Sequence, residues 1–263
     1  LDSVGAEFIR DVKPGETILI DKNGLRTVAC QPAPKASRCI FEYIYFARPD
    51  SVIDGVSVCQ WRENAGRALA RLHPVDADIV CGVPDSGLDA ALGYSMESGI
   101  PYSTAFVKSK YIGRTFLSPG QDQRIDQVRI KLNPIPETVQ GKRVVLIDDS
   151  IVRGTTSGQI IGLLRDAGAK EVHMRVSAPP FLNPCYYGTD IDSRDHLIAC
   201  HRTIPEIADI ISGLIQKQMQ CIQIDPYANA FNECANGNCW EHDKTDMKPE
   251  LWERKFEIDS LCF

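Results

Sequence analysis

The chain has 263 residues, between one and two domains in length. Its 29 basic and 35 acidic residues leave a net charge of −6, which argues against a general nucleic-acid binder but leaves room for a locally basic anion site. An apolar fraction of 43% supplies a core and excludes wholesale disorder, and no apolar run nears the roughly 18 residues of a membrane span.

In chain order, Val4 to Ile9 reads as a strand, Pro14-Gly15 as a turn, Thr17 to Asp21 as a strand and Asn23-Gly24 as a hairpin turn. Gln31 to Pro34 is a proline-containing connector, and a boundary is expected there. Ile40 to Ala47 is aromatic and expected to be extended. Val56 to Leu72 is expected to be helical, because Val58, Trp61, Ala65, Leu69 and Leu72 fall on one face.

From Asp78 the pattern alternates. Strands are expected at Asp78 to Val83, Tyr102 to Val107, Arg143 to Ile147 and Glu171 to Ser177. Helices are expected at Leu88 to Ser98, stopped by Gly99, and at Ser157 to Ala167, stopped by Gly168. Such alternation predicts an α/β fold, a mainly parallel sheet with helices on both faces. Ligands on such a sheet sit at the carboxyl ends of its strands. From about Gly213 the chain turns polar and then charged.

The segment from Val144 to Ser157 is the most informative. An apolar strand delivers Asp148 and Asp149, and Gly154-Thr155-Thr156-Ser157 then opens a helix. Gly154 lets backbone approach a ligand, and helix-start amides with three hydroxyls suit a phosphate monoester. The two carboxylates suit sugar hydroxyls or Mg2+. Together they would hold a ribose 5-phosphate. Val83-Pro84-Asp85-Ser86-Gly87 is a second tight turn, whose amides suit a diphosphate. Lys108 to Arg124 is a long basic loop of the kind that closes over a site.

The string Val144 to Ser157 resembles the phosphoribosyl pyrophosphate signature of the type I phosphoribosyltransferases. Two further segments, Arg38 to Ser51 and Lys108-Ser109-Lys110-Tyr111-Ile112-Gly113-Arg114-Thr115-Phe116, resemble the amidophosphoribosyltransferases, the glutamine-dependent enzymes that open purine synthesis. The resemblance runs from about Ser3 to about Ala199. It implies the type I phosphoribosyltransferase fold, preceded by a short β remnant of an Ntn-type glutaminase domain. The expected division is 1–37 for that remnant and linker, 38–212 for the transferase, and 213–263 for a divergent tail with a cluster-ligand region.

The reaction implied is transfer of the phosphoribosyl group to ammonia, drawn from glutamine in the family, giving 5-phosphoribosylamine and pyrophosphate. By resemblance Asp148, Asp149, Lys108 and Arg114 carry the chemistry. Pro84, Asp85, Ser86, Arg153, Gly154, Thr155, Thr156, Ser157 and Tyr111 bind substrate, and Ser86, Asp148 and Asp149 hold Mg2+. Purine nucleotides are implied as feedback inhibitors and a homo-oligomer as the assembly, with no nucleic-acid or membrane partner.

The ten cysteines are expected to be reduced, in a cytoplasmic protein, since no signal peptide is visible. Some family members carry a [4Fe–4S] cluster, and Cys39, Cys185, Cys234 and Cys239 are the implied ligands. The last two are spaced C-x4-C, where the family shows C-x2-C. The family's glutaminase half uses an N-terminal cysteine nucleophile, whereas residue 1 here is Leu; the expectation is therefore a shortened chain that uses ammonia. The rival readings are a base-salvage phosphoribosyltransferase and a non-catalytic ligand-sensing module.

Overall fold

The computed structural model describes residues 4–31, 39–109, 131–185, 191 and 193–213. They fall in two compact units that part between Cys39 and Ile40.

In the first unit, β1 (Glu16–Asp21) and β2 (Gly24–Cys30) form an antiparallel hairpin with Asp21 opposite Gly24. The turn is therefore Lys22-Asn23, one residue earlier than the sequence suggests. Glu16 organises the approach to it. Its carboxylate accepts from Arg10 at 2.9 Å and from the Lys13 amide at 2.9 Å, and from the Thr27 hydroxyl. Chiefly through Arg10, then Thr27 and Lys13, the Glu16 carboxyl is held down at about 2. The strand expected at Val4 to Ile9 does not form: residues 6–13 carry no regular structure. A strand needs a partner's backbone groups, and in this unit the hairpin strands pair with each other.

The second unit begins with a second correction. Ile40 to Ala47 is not extended: Glu42–Phe46 is a single π-helical turn. Its β-branched and aromatic residues suggested a strand, but Ile40, Phe41, Tyr43 and Ile44 are the buried ones, a helical spacing and not an alternation. Two short strands, β3 (Val52–Ile53) and β4 (Val56–Ser57), lead into α1 (Val58–Leu72). Ser57 caps that helix by accepting from the Gln60 amide, and Val58, Trp61, Ala65 and Leu69 are buried along it as expected.

The sheet follows. Strand β5 (Ile79–Gly82) pairs in parallel with β8 (Arg143–Asp148), and β8 in parallel with β9 (Glu171–Val176). α2 (Gly87–Ser98) follows β5 and ends at Gly99, whose φ of 74° suits the left-handed terminus. Val80, Val145 and Ile147 pack on one face against Ala68 and Leu69 of α1 and Ala90, Ala91 and Tyr94 of α2. The alternate residues Val144 and Leu146 point to the opposite face and are equally buried.

The strand expected at Tyr102 to Val107 is split in two. Tyr102 makes one parallel bridge to Val80. β6 (Phe106–Lys108) then turns away to pair antiparallel with β7 (Leu132–Pro134). A short α3 (Pro136–Val139) precedes β8, and α4 (Thr155–Asp166) joins β8 to β9. A 3-10 turn (Arg194–His196), α5 (Ile198–His201) and α6 (Ile204–Gly213) complete the described chain. Among the described residues no helix is long and apolar enough to cross a membrane.

Candidate active site

The ends of β5 and β8 lie side by side because the two strands are parallel neighbours. The Val83 amide donates to the Ile147 carbonyl at 2.8 Å, carrying the pairing one residue past β5. The chain then turns through Pro84, Asp85 and Ser86, with the Pro84–Asp85 peptide cis, and enters α2 at Gly87. Two glycines allow the turn. A Cβ on Gly87 would lie 2.6 Å from the Ile147 carbonyl oxygen, and one on Gly82 would lie 2.5 Å from that of Gly87. Only hydrogen fits at either place.

This wedge sets the Val83 to Gly87 loop against the acids at the end of β8. The Ser86 hydroxyl donates to Asp149, as does the Ser150 hydroxyl, and Lys108 of β6 pairs with Asp85. Asp148 and Asp149 are 7% and 9% exposed. Burial, then the charge of Asp149, holds the Asp148 carboxyl well above the ordinary range. Burial also raises Asp149, opposed by the bonds from Ser150 and Ser86 and by the charge of Arg62. Two desolvated carboxylates side by side form a site that favours a cation or a developing positive charge.

Next comes the turn into α4. Gly154 stands at the helix start with a φ of 80°, in the left-handed region that favours glycine, and no side chain caps the helix. The first amides of a helix lack intrahelical partners, so α4 presents donors and the positive end of its dipole. Thr155 and Thr156 are exposed there, Ser157 is buried, and Arg153 is exposed at the rim. Beneath the turn the floor is apolar. A Cβ on Gly154 would meet Ile198 Cδ1 at 3.0 Å and Ile211 Cγ1 at 3.7 Å.

The structure thus brings Pro84, Asp85, Ser86, Lys108, Asp148, Asp149 and the 153–157 turn to the carboxyl end of two adjacent strands. Tyr111, Arg114, Cys234 and Cys239 lie outside the described residues, as does most of the expected basic loop. The Ser109 amide donates to the Lys131 carbonyl at 2.8 Å, carrying the β6–β7 pairing one residue further. Cys39 and Cys185 are each half-buried, and no disulfide joins the described cysteines. Among the described residues no group of three or more His, Cys, Asp or Glu is placed to hold a metal ion.

Sequence reasoning missed Arg62. It is 3% exposed, on the buried face of α1, and its desolvation lowers its pKa. The signal was present: position 62 lies four residues after Val58, three before Ala65 and seven before Leu69, on the apolar stripe itself.

The amidophosphoribosyltransferase of Archaeoglobus fulgidus is 53% identical over 210 residues, covering 80% of this chain and 46% of that protein. Of two similar solved structures, one is of the allosteric regulatory enzyme of purine biosynthesis, with TM-score 0.71, 47% identity and coverage of 80% of this chain and 45% of that one. The other is glutamine phosphoribosylpyrophosphate amidotransferase from B. subtilis complexed with ADP and GMP, with TM-score 0.69, 47% identity and coverage of 80% and 46%. The chain spans about half the length of the curated relatives it matches.

A family model described as metal-independent alpha-mannosidase (GH125) matches residues 193–263. The described part of that match does not stand apart from the second unit. Leu197, Ile207 and Ile211 are fully buried, the Ile198 amide donates to the Val152 carbonyl at 3.0 Å, and Ile198 and Ile211 floor the Gly154 turn. Over about four fifths of its length the chain is thus similar, in sequence and in fold, to the amidophosphoribosyltransferases.

Proposed function

We propose that this chain transfers the phosphoribosyl group of phosphoribosyl pyrophosphate to ammonia, releasing pyrophosphate and forming 5-phosphoribosylamine. The observation that carries the reading is the Ser86 to Asp149 bond. It joins the turn suited to a diphosphate to the acids suited to a ribose, with the open start of α4 beside them. One molecule bearing a phosphate, a sugar and a diphosphate matches all three features.

In this reading the α4 amides and the hydroxyls of Thr155, Thr156 and Ser157 hold the 5-phosphate. Asp148 and Asp149 orient the ribose and stabilise positive charge that grows at C1 as the bond to the diphosphate lengthens. The Val83 to Gly87 amides hold the diphosphate, and Lys108 draws on its charge. No side chain need form a covalent bond, since positioning and electrostatics carry the step. The Ser86 hydroxyl and the two buried carboxylates form a hard-oxygen set that fits Mg2+, with substrate oxygens and water as the remaining ligands. When bound, Mg2+ would neutralise the leaving diphosphate. The relative complexed with ADP and GMP supports purine nucleotides as regulatory ligands of this chain too.

The test supplies phosphoribosyl pyrophosphate and Mg2+ with either ammonium or free purines and pyrimidines, and measures pyrophosphate. Release with ammonium alone is expected; release only with a free base would overturn the reading in favour of base salvage.

A [4Fe–4S] cluster on Cys39, Cys185, Cys234 and Cys239 is a separate proposal. The half-buried Cys39 and Cys185 suit thiolate ligation better than Cys81, whose burial pushes its thiol up to about 12. Anaerobically purified protein should hold about four irons with matching sulfide; iron-free protein would remove the cluster.

A further inference from the structure

Arg62 spends its donors in three directions from within the second unit. Nε donates to the Tyr43 carbonyl at 2.7 Å, Nη2 donates to the Ala47 carbonyl at 2.9 Å, and Nη1 faces Asp89 Oδ2 at 3.7 Å. The two carbonyls lie within and just beyond the π-helical turn. Asp89 lies in the first turn of α2, three residues after Ser86. Asp89 Oδ2 is itself buried and has no hydrogen-bond partner, so the guanidinium is its compensating charge.

The helices it joins are already close. A Cβ on Gly66 would lie 1.8 Å from the Ala90 carbonyl oxygen, and one on Gly93 would lie 1.9 Å from that of Glu63. Close backbone approach fixes the spacing between α1 and α2. It is not directional, however: at the start of α2 the Gly82 and Gly87 wedge seats the loop on β8, and the Arg62 contacts add a directional tie to α1. The ion pair acts at the end of α2 that carries the Val83 to Gly87 loop.

We propose that Arg62 is a positioning residue for the diphosphate half of the site, tying the start of α2, and with it Ser86, to α1 and the Glu42–Phe46 turn. The planar guanidinium meets two carbonyls and a carboxylate from three separate nitrogens held in one rigid fork, a spread that the single ammonium nitrogen of Lys does not reproduce and an apolar residue lacks. The inference rests on the reading of Val83 to Gly87 as the diphosphate loop. It assigns Arg62 no contact with substrate. The phosphate half of the site lies at the start of α4, over Ile198 and Ile211, and none of the Arg62 bonds described reaches it.

That separation supplies the test. Calorimetric titration of the purified chain measures binding of magnesium pyrophosphate and, separately, of ribose 5-phosphate. Arg62→Met should weaken pyrophosphate about tenfold or more while leaving ribose 5-phosphate within about twofold. Asp89→Asn keeps both carbonyl bonds and should shift the same ligand in the same direction; it decides the matter if Arg62→Met does not fold. Equal weakening of both ligands would reduce Arg62 to general support and overturn the proposal, as would unchanged pyrophosphate binding. Wild-type protein that binds neither ligand would overturn the site reading itself, before any substitution, and the role of Arg62 with it.

Discussion

At the end of β5 the chain turns with backbone against backbone. Gly82 and Gly87 leave no room for a methyl group, and the atoms they would strike are carbonyl oxygens of the fold. At the end of β8 the chain turns over side chains. Gly154 is required there mainly by its φ of 80°, and the nearest atom beneath it is the far end of the Ile198 side chain. The first loop is therefore rigid by construction and tied by ions. The second rests on an apolar floor that can yield. In the proposed reaction, the first design would grip the leaving diphosphate and the second the fixed phosphate.

The comparison breaks most visibly at Gly87. Gly87→Ala should destabilise the fold by about 3 kcal/mol, because the Ile147 carbonyl it would meet belongs to the central strand and cannot move aside. Urea denaturation reads the loss, and pyrophosphate release should fall with it. Gly154→Ala should cost less, about 1–2 kcal/mol for a left-handed conformation, since Ile198 can shift. Its main effect should be weaker ribose 5-phosphate binding with pyrophosphate binding retained, seen by titration of each ligand.

The smallest effect touches neither loop. His173, on β9, is 8% exposed and lies 3.2 Å from Glu171. Burial lowers its pKa, against the pull of Glu171. The folded value thus lies below the unfolded one, near 6.5. The stability this contributes is complete above the unfolded value and is lost as pH falls through the folded one. The stability difference between wild type and His173→Gln should therefore shrink from pH 7.5 to pH 5.5 in chemical denaturation, with both ligand affinities unchanged by the substitution at pH 7.5.

The sheet was legible because buried parallel strands read as unbroken apolar runs, as Val144 to Ile147 does. The acids, the glycine turn and the Val83 to Gly87 loop were legible because each is contiguous in sequence. What failed was composition taken for conformation: Ile40 to Ala47 has strand-like residues but a helical burial pattern. The split of Tyr102 to Val107 was hidden because its second half leaves the sheet for β7, a partner whose choice is tertiary. Arg62 was overlooked because an arginine on an apolar face gains its meaning from Tyr43, Ala47 and Asp89, which lie 15 to 27 positions away in the chain.

The central claim is that the two loops serve one substrate through the acids between them. The direct measurement is pyrophosphate release from phosphoribosyl pyrophosphate with Mg2+ and ammonium, in wild type and Asp148→Asn. Removal of one buried carboxylate keeps the shape and deletes a charge that the proposed reaction sets against C1, so release should fall by about a thousandfold. Asp148→Asn protein that releases pyrophosphate at the wild-type rate would contradict the account.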